Sequence, residues 1–114
     1  MTEDPRADRA GAAPPHLTSA LALDYLRALS TDIRAGVVLS DAGECLAGPR
    51  ELLDPARALL EAAPDAVEVH VTTRDGAVFA ARDDRHAIVL ACGRFALPAL
   101  ARYDLKVVLG RLEG

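Results

Sequence analysis

The sequence predicts an α+β domain: a five-stranded antiparallel sheet with two helices on one face and one on the other. Three observations carry this. Short β-prone runs separated by Asp-Ala-Gly, Asp-Gly and Asp-Asp turns fall at hairpin spacing over residues 36–47 and 67–92. Three stretches with apolar residues three and four apart flank or separate those runs and read as helices. Two of the runs, Gly36-Val37-Val38-Leu39 and Ala87-Ile88-Val89-Leu90-Ala91-Cys92, are apolar on both faces, as a strand covered from both sides must be.

The first helix begins near Leu17. Leu17, Leu21, Tyr25, Leu26, Leu29 and Ile33 form one apolar stripe, with Asp24, Arg27 and Arg34 off it. Thr18 or Ser19 caps its start. Gly36–Leu39 is too short for a helix and β-branched enough for a strand. Asp41-Ala42-Gly43 turns the chain, and Glu44-Cys45-Leu46-Ala47 returns as a weaker edge strand ended by Gly48-Pro49.

Asp54-Pro55 signals the second helix, with Asp as cap and Pro at the first helical position. Its core face is Ala56, Leu59, Leu60 and Ala63, and Pro64-Asp65 stops it. Val67, Val69 and Val71 then alternate with Glu68, His70 and Thr72, as in a half-exposed strand whose polar residues form a solvated face. Arg74-Asp75-Gly76 is a hairpin turn, since Asp-Gly readily takes positive φ. Ala77–Ala81 returns, Asp83-Asp84-Arg85 turns again, and Ala87–Cys92 follows. The last helix starts near Pro98. Leu97, Ala101, Leu105, Val108 and Leu112 form its stripe, widened by Leu100 and Val107, and Arg102, Lys106 and Glu113 lie opposite.

Pairing the two doubly apolar strands places both hairpin units in one sheet of order 2-1-5-4-3, with the valine-alternating strand at an edge. The first and last helices pack together on one face and the second covers the other. Residues 17–114 form this domain. Residues 1–16, rich in Pro, Ala, Gly and charge, are expected to be a disordered tail. At 114 residues the chain fits one domain. With aromatics at 4%, Leu, Val, Ile and Ala must fill its core. An Ala-rich core buries little area per residue. At about 25 cal/mol per Å² buried, an isolated monomer is expected to be modestly stable.

A formal charge of −4 with scattered arginines argues against a nucleic-acid-binding face and against docking on anionic membranes. No run approaches the roughly 20 apolar residues of a membrane span. The expected address is the cytoplasm, where Cys45 and Cys92 stay reduced. Both cysteines read as small apolar fillers, since neither has an evident base and burial would raise the pKa of Cys92. Use of either as a nucleophile is the enzymatic reading, and it is the weakest. His16, His70 and His86 lack metal-site spacing, and the residues around His86 read as a polar turn. Gly43 and Gly48 are not followed by Gly-Lys-Ser/Thr, so no phosphate loop is present. No enzyme activity, cofactor or metal is therefore expected.

This element order resembles the roadblock (dynein light chain type) family, a profilin-like fold, over roughly residues 17–113. Residues 36–43, a Gly-Val run followed by Asp-x-Gly, look like its first hairpin. Residues 87–94, an apolar strand running into Gly93 before an amphipathic helix, look like its closing unit. The resemblance implies a non-catalytic scaffold. Members form homodimers or heterodimers by pairing the edge strand and second helix of each protomer. Bacterial and archaeal members often partner small Ras-like GTPases in signalling.

Pro55 departs from that pattern and predicts a second helix that is short or kinked, because the residue before a proline avoids α geometry. The expected dimer surface comprises Ala58, Leu59 and Ala62 on the second helix and Val67, Glu68, Val69, His70 and Val71 on the edge strand. The small residues at 58 and 62 permit close helix packing, and an edge strand offers unpaired amides. Arg74, Arg82, Arg85 and Arg94 are the candidate partner surface, any one able to stabilise transition-state charge in a GTPase complex. The alternative is a small-molecule sensor of profilin or PAS type, with a ligand held between sheet and helix.

Overall fold

A computed structural model describes residues 16–113. Of the tail expected over 1–16, residues 1–15 lie outside the described residues, and His16 is exposed. The elements run α1 (Ser19–Leu29), β1 (Ile33–Ser40), β2 (Cys45–Ala47), a 3₁₀ turn (Arg50–Leu52), α2 (Leu53–Ala62), β3 (Glu68–Thr72), β4 (Ala77–Arg82), β5 (His86–Cys92) and α3 (Pro98–Arg111). All five strands join one antiparallel sheet in the order β2-β1-β5-β4-β3. The topology is the one the hydrophobic pattern predicts.

Two apolar layers hold the sheet. On one face α1 and α3 bring Leu23, Leu26, Leu105 and Val108 onto Val38, Phe79, Ile88 and Leu90. On the other, α2 brings Ala56, Leu59 and Leu60 onto Val37, Leu39, Ala80, Ala87 and Val89. The central strands β1 and β5 are buried along most of their length, as expected. Each buried Val, Leu, Ile or Phe contributes roughly 1.5–3 kcal/mol relative to exposure.

Several local expectations are corrected. The buried face of α1 is Ala22, Leu23 and Leu26, while Leu21 is exposed. Leu17 and Ile33 lie outside the helix: Leu17 bridges to Leu112, and Ile33 opens β1. Thr18 is the cap, its Oγ1 accepting from the Leu21 N–H at 3.2 Å. The helix starts later than the stripe suggests because that cap sets its first turn.

Leu53 rather than Asp54 opens α2, and Leu52 precedes it in helical geometry without a side-chain cap. Pro55 neither shortens nor breaks it. It sits in the first turn, where its missing N–H has no intrahelical partner to lose. Gly76 does not take positive φ; among the described residues Gly43 and Gly48 do. A Cβ at Gly76 would strike the Cys92 carbonyl oxygen and come within 2.9 Å of the Gly93 carbonyl carbon. Close backbone approach, not turn geometry, requires glycine there.

Leu97 precedes α3 and is exposed, whereas Asp104 is buried on the helix face that also carries Leu105 and Val108. Cys45 is exposed on β2 and fills no core. Cys92 is buried, and burial, reinforced by the charge of Asp32, pushes its thiol up to about 11.

Candidate functional site

The sheet leaves β3 unpaired on its outer side. Which backbone groups face outward follows from the ladder to β4. The Arg82 N–H donates to the Val67 carbonyl at 2.9 Å, and the Thr73 N–H donates to the Gly76 carbonyl at 2.8 Å. Those two pairs continue the register that sets Glu68 opposite Ala81 through Thr72 opposite Ala77. Bonded and non-bonded pairs alternate in an antiparallel ladder. Val69 and Val71 therefore bond inward to β4. Glu68, His70 and Thr72 direct their N–H and C=O groups to the open edge.

The two faces of the strand differ as well. Val69 lies opposite Ala80 and packs into the α2 layer. Val71 shares that face and is exposed, as is Val67 just before the strand, at 66%. The α2 helix covers the central strands but leaves these edge valines bare. On the opposite face Glu68 is bound by α3: Arg102 and Lys106 each reach its carboxylate at 3.1 Å. The Lys106 ammonium first, and the Arg102 guanidinium next, hold its carboxyl below the usual range. His70 stacks on Phe79 with ring centroids 4.4 Å apart. The solvated polar face expected of Glu68, His70 and Thr72 is thus partly covered, and the valine side is the bare one.

The eight expected dimer residues divide between α2 and the β3 edge. Ala58 and Ala62 are exposed on the outward side of α2, and Leu59 is half-buried toward the sheet. Their helix and the bare β3 valines belong to the same layer. Residues 67–71 supply the open edge.

The four arginines do not form one patch. Arg74 sits in the β3–β4 hairpin, and Arg94 follows β5, where Gly76 brings the two loops together. Arg82 and Arg85 lie at the other end of β4, about 17 Å away at roughly 3.4 Å per residue. Arg82 is not a free surface charge. It is half-buried, and its guanidinium donates to the carbonyls of Ala66 at 2.7 Å, Leu60 at 3.1 Å, and Ala63. It closes the C-terminal end of α2, where a cation also complements the helix dipole.

Sequence reasoning missed the tie from Arg102 and Lys106 to Glu68. Its only trace is an i, i+4 cationic pair on the exposed side of the last helix. It also missed the burial of His86, which is 5% exposed at the start of β5 rather than in a solvated turn. Asp104 carried a faint signal, an acid at helical spacing within an apolar stripe.

These elements, their order and the open β3 edge define a roadblock/LC7-type fold. The roadblock/LC7 domain from Streptomyces avermitilis superposes with a TM-score of 0.65 at 15% identity, covering 77% of this chain and 91% of that one. MglB from Myxococcus xanthus matches with a TM-score of 0.59 at 10% identity over 97% of this chain and 89% of that one. The gliding protein MglB from Thermus thermophilus matches with a TM-score of 0.59 at 12% identity over 97% and 93%. No family model and no curated relative matches the chain. At these identities the likeness establishes the fold.

Proposed function

We propose that this chain is a non-catalytic regulatory adaptor that forms a homodimer and docks a signalling protein, a small Ras-like GTPase fitting best. The observation that carries the reading is the β3 edge, which presents three residues' worth of unfilled backbone groups beside bare valines and the alanine ridge of α2. A twin strand would fill the amides and cover Val67 and Val71, and Ala58 and Ala62 let two α2 helices approach closely. The GTPase partner rests on the roadblock resemblance. Arg74, Arg85 and Arg94 remain the cations available to such a partner. No described helix is long and apolar enough to cross a membrane.

Light scattering over a dilution series, followed by co-elution with Ras-like GTPases of the same organism, tests the proposal. The expected result is twice the chain mass and retention of a GTPase in one nucleotide state. A monomer at all concentrations overturns the homodimer. A dimer that retains no GTPase in either nucleotide state overturns the partner.

A further inference from the structure

The outer side of β3 is not the only place where the sheet leaves backbone groups unpaired. β1 runs from Ile33 to Ser40, but β2 lies opposite Val38 and Leu39 alone. The ladder to β5 fixes which groups the rest of β1 turns outward. The Asp83 N–H donates to the His86 carbonyl at 2.9 Å and closes the β4–β5 hairpin. By alternation Ile88, Leu90 and Cys92 bond to β4, and Ala87, Val89 and Ala91 bond to Leu39, Val37 and Ala35 of β1. The Ser40 N–H fits this alternation, donating to the Glu44 carbonyl at 2.9 Å on the β2 side. Each peptide unit is trans, so its N–H and C=O point opposite ways. The inward N–H of Ala35 therefore sets the Arg34 carbonyl outward, and the inward carbonyl of Ala35 sets the Gly36 N–H outward.

Those two groups have no partner among the described residues. The register places Pro49 opposite Gly36, and proline has no N–H to give. The Pro49 carbonyl accepts from the Leu52 N–H at 3.2 Å as the chain turns away toward α2. Where a longer β2 would lie there is a groove of about 350 Å³ between β1 and α1. Gly36 is buried beneath Leu23 of α1; a Cβ on it would come 2.9 Å from Leu23 Cδ2. Backbone donors of buried residues are ordinarily paired, so an unmet one beside a groove marks a place where a partner arrives. Charge supplies a second, independent observation. The groove carries Arg27 of α1 and Arg34 of β1 against Asp24. All three are exposed, and none makes an ion pair among the described residues. The balance is positive.

We infer that an extended acidic segment of a partner protein adds to β1 in this groove, beside α1. One residue of a chain running parallel to β1 fills both gaps: its N–H donates to the Arg34 carbonyl and its carbonyl accepts from the Gly36 N–H. An antiparallel chain would need the Gly36 carbonyl, against which Gly48 already lies. Successive side chains of a strand alternate, so the residues before and after the bonded one both point to the α1 side. Carboxylates at those two positions meet Arg27 and Arg34. The groove thus recognises an acid-x-acid segment. It lies across the sheet from β3, so the inference stands apart from the homodimer.

Amide chemical-shift titration of the labelled full chain with the peptide acetyl-Thr-Glu-Thr-Glu-Thr-amide tests it. The expected result is saturable shifts confined to residues 20–27, 34–36 and 47–48. The same peptide with Gln for both Glu should bind at least about threefold more weakly, as should the parent peptide to the double variant Arg27→Gln/Arg34→Gln. N-methylation of the central Thr removes the donor for the Arg34 carbonyl while keeping both charges, and should also cost at least about threefold. The modified peptides act on the unaltered protein, so their readout does not depend on how the variant folds. No binding, shifts at residues 67–73 instead, or equal affinity for the glutamine or the N-methyl peptide would overturn the site.

Discussion

Replacing His70 by proline tests the open edge most directly, because the ladder to β4 does not use that residue's N–H. His70 lies opposite Phe79 in a non-bonded pair, between the inward-bonding Val69 and Val71. Proline there removes an outward donor and places its ring in the path of a twin strand. Proline is tolerated at an edge position whose N–H faces solvent, and the preceding Val69 is already extended. In any two-fold pairing that matches the outward residues of one copy with those of the other, His70 belongs to the bonded row. Each copy loses one donor, so the dimer loses two hydrogen bonds. At about 0.5–1.5 kcal/mol net per bond, the dimer weakens by about 1–3 kcal/mol. That corresponds to roughly 5- to 150-fold in dissociation constant, before steric exclusion by the ring is counted.

Sedimentation velocity with parallel thermal melts reads both quantities. His70→Ala keeps the N–H and loses only the stack on Phe79 within each protomer, so it should remain a dimer. Val69→Pro removes a ladder bond and should lower the melting temperature of the protomer itself. A His70→Pro protein that dimerises as tightly as the parent refutes edge pairing. One that melts as low as Val69→Pro refutes the assignment of outward and inward donors.

Three further outcomes follow from the same structure. Gly48→Ala should cost at least about 2 kcal/mol by chemical denaturation, since φ is +109° there and the new Cβ would come 2.8 Å from the Val37 Cα. Cys45 should react with a thiol reagent at pH 8 in the folded protein. Cys92, its thiol pushed up to about 11, should react only after denaturant is added; simultaneous labelling of both thiols would contradict its burial.

The Lys106 ammonium and the Arg102 guanidinium hold the Glu68 carboxyl below the ordinary glutamate value, so its tie to α3 stabilises the fold above that ordinary value and is lost as pH falls through the lower folded one. With Arg102 and Lys106 more than half exposed, the tie is worth no more than about 1 kcal/mol. Glu68→Gln should therefore flatten the acid limb of the stability–pH profile slightly, and an unchanged limb would show that the tie contributes nothing.

The sequence by itself determined the element order and the sheet topology. Both follow from one-dimensional patterns: the double-sided apolarity of 36–39 and 87–92, the alternation at 67–72, and the 3.6-residue stripes. The Thr18 cap and the Asp41–Gly43 turn were legible for the same reason, since each acts over four residues or fewer. The candidate edge was legible as a strand with alternating faces, but not as to which face stays bare. That depends on how far α2 reaches across the sheet, a distance set by packing.

Tertiary structure alone decided the remaining features, all of them contacts between residues far apart in the chain. Arg82 reads as a surface charge until the carbonyls of Leu60, Ala63 and Ala66, at and just beyond the end of α2, arrive beside β4. Glu68 reads as solvated until α3 crosses above it. His86 reads as part of a turn until β5 pairs it with Ser40 of β1 and it is buried in the assembled sheet. A sequence pattern records which side of its own element a residue occupies. What faces that side is fixed only when the layers assemble, and the open edge arises at that step.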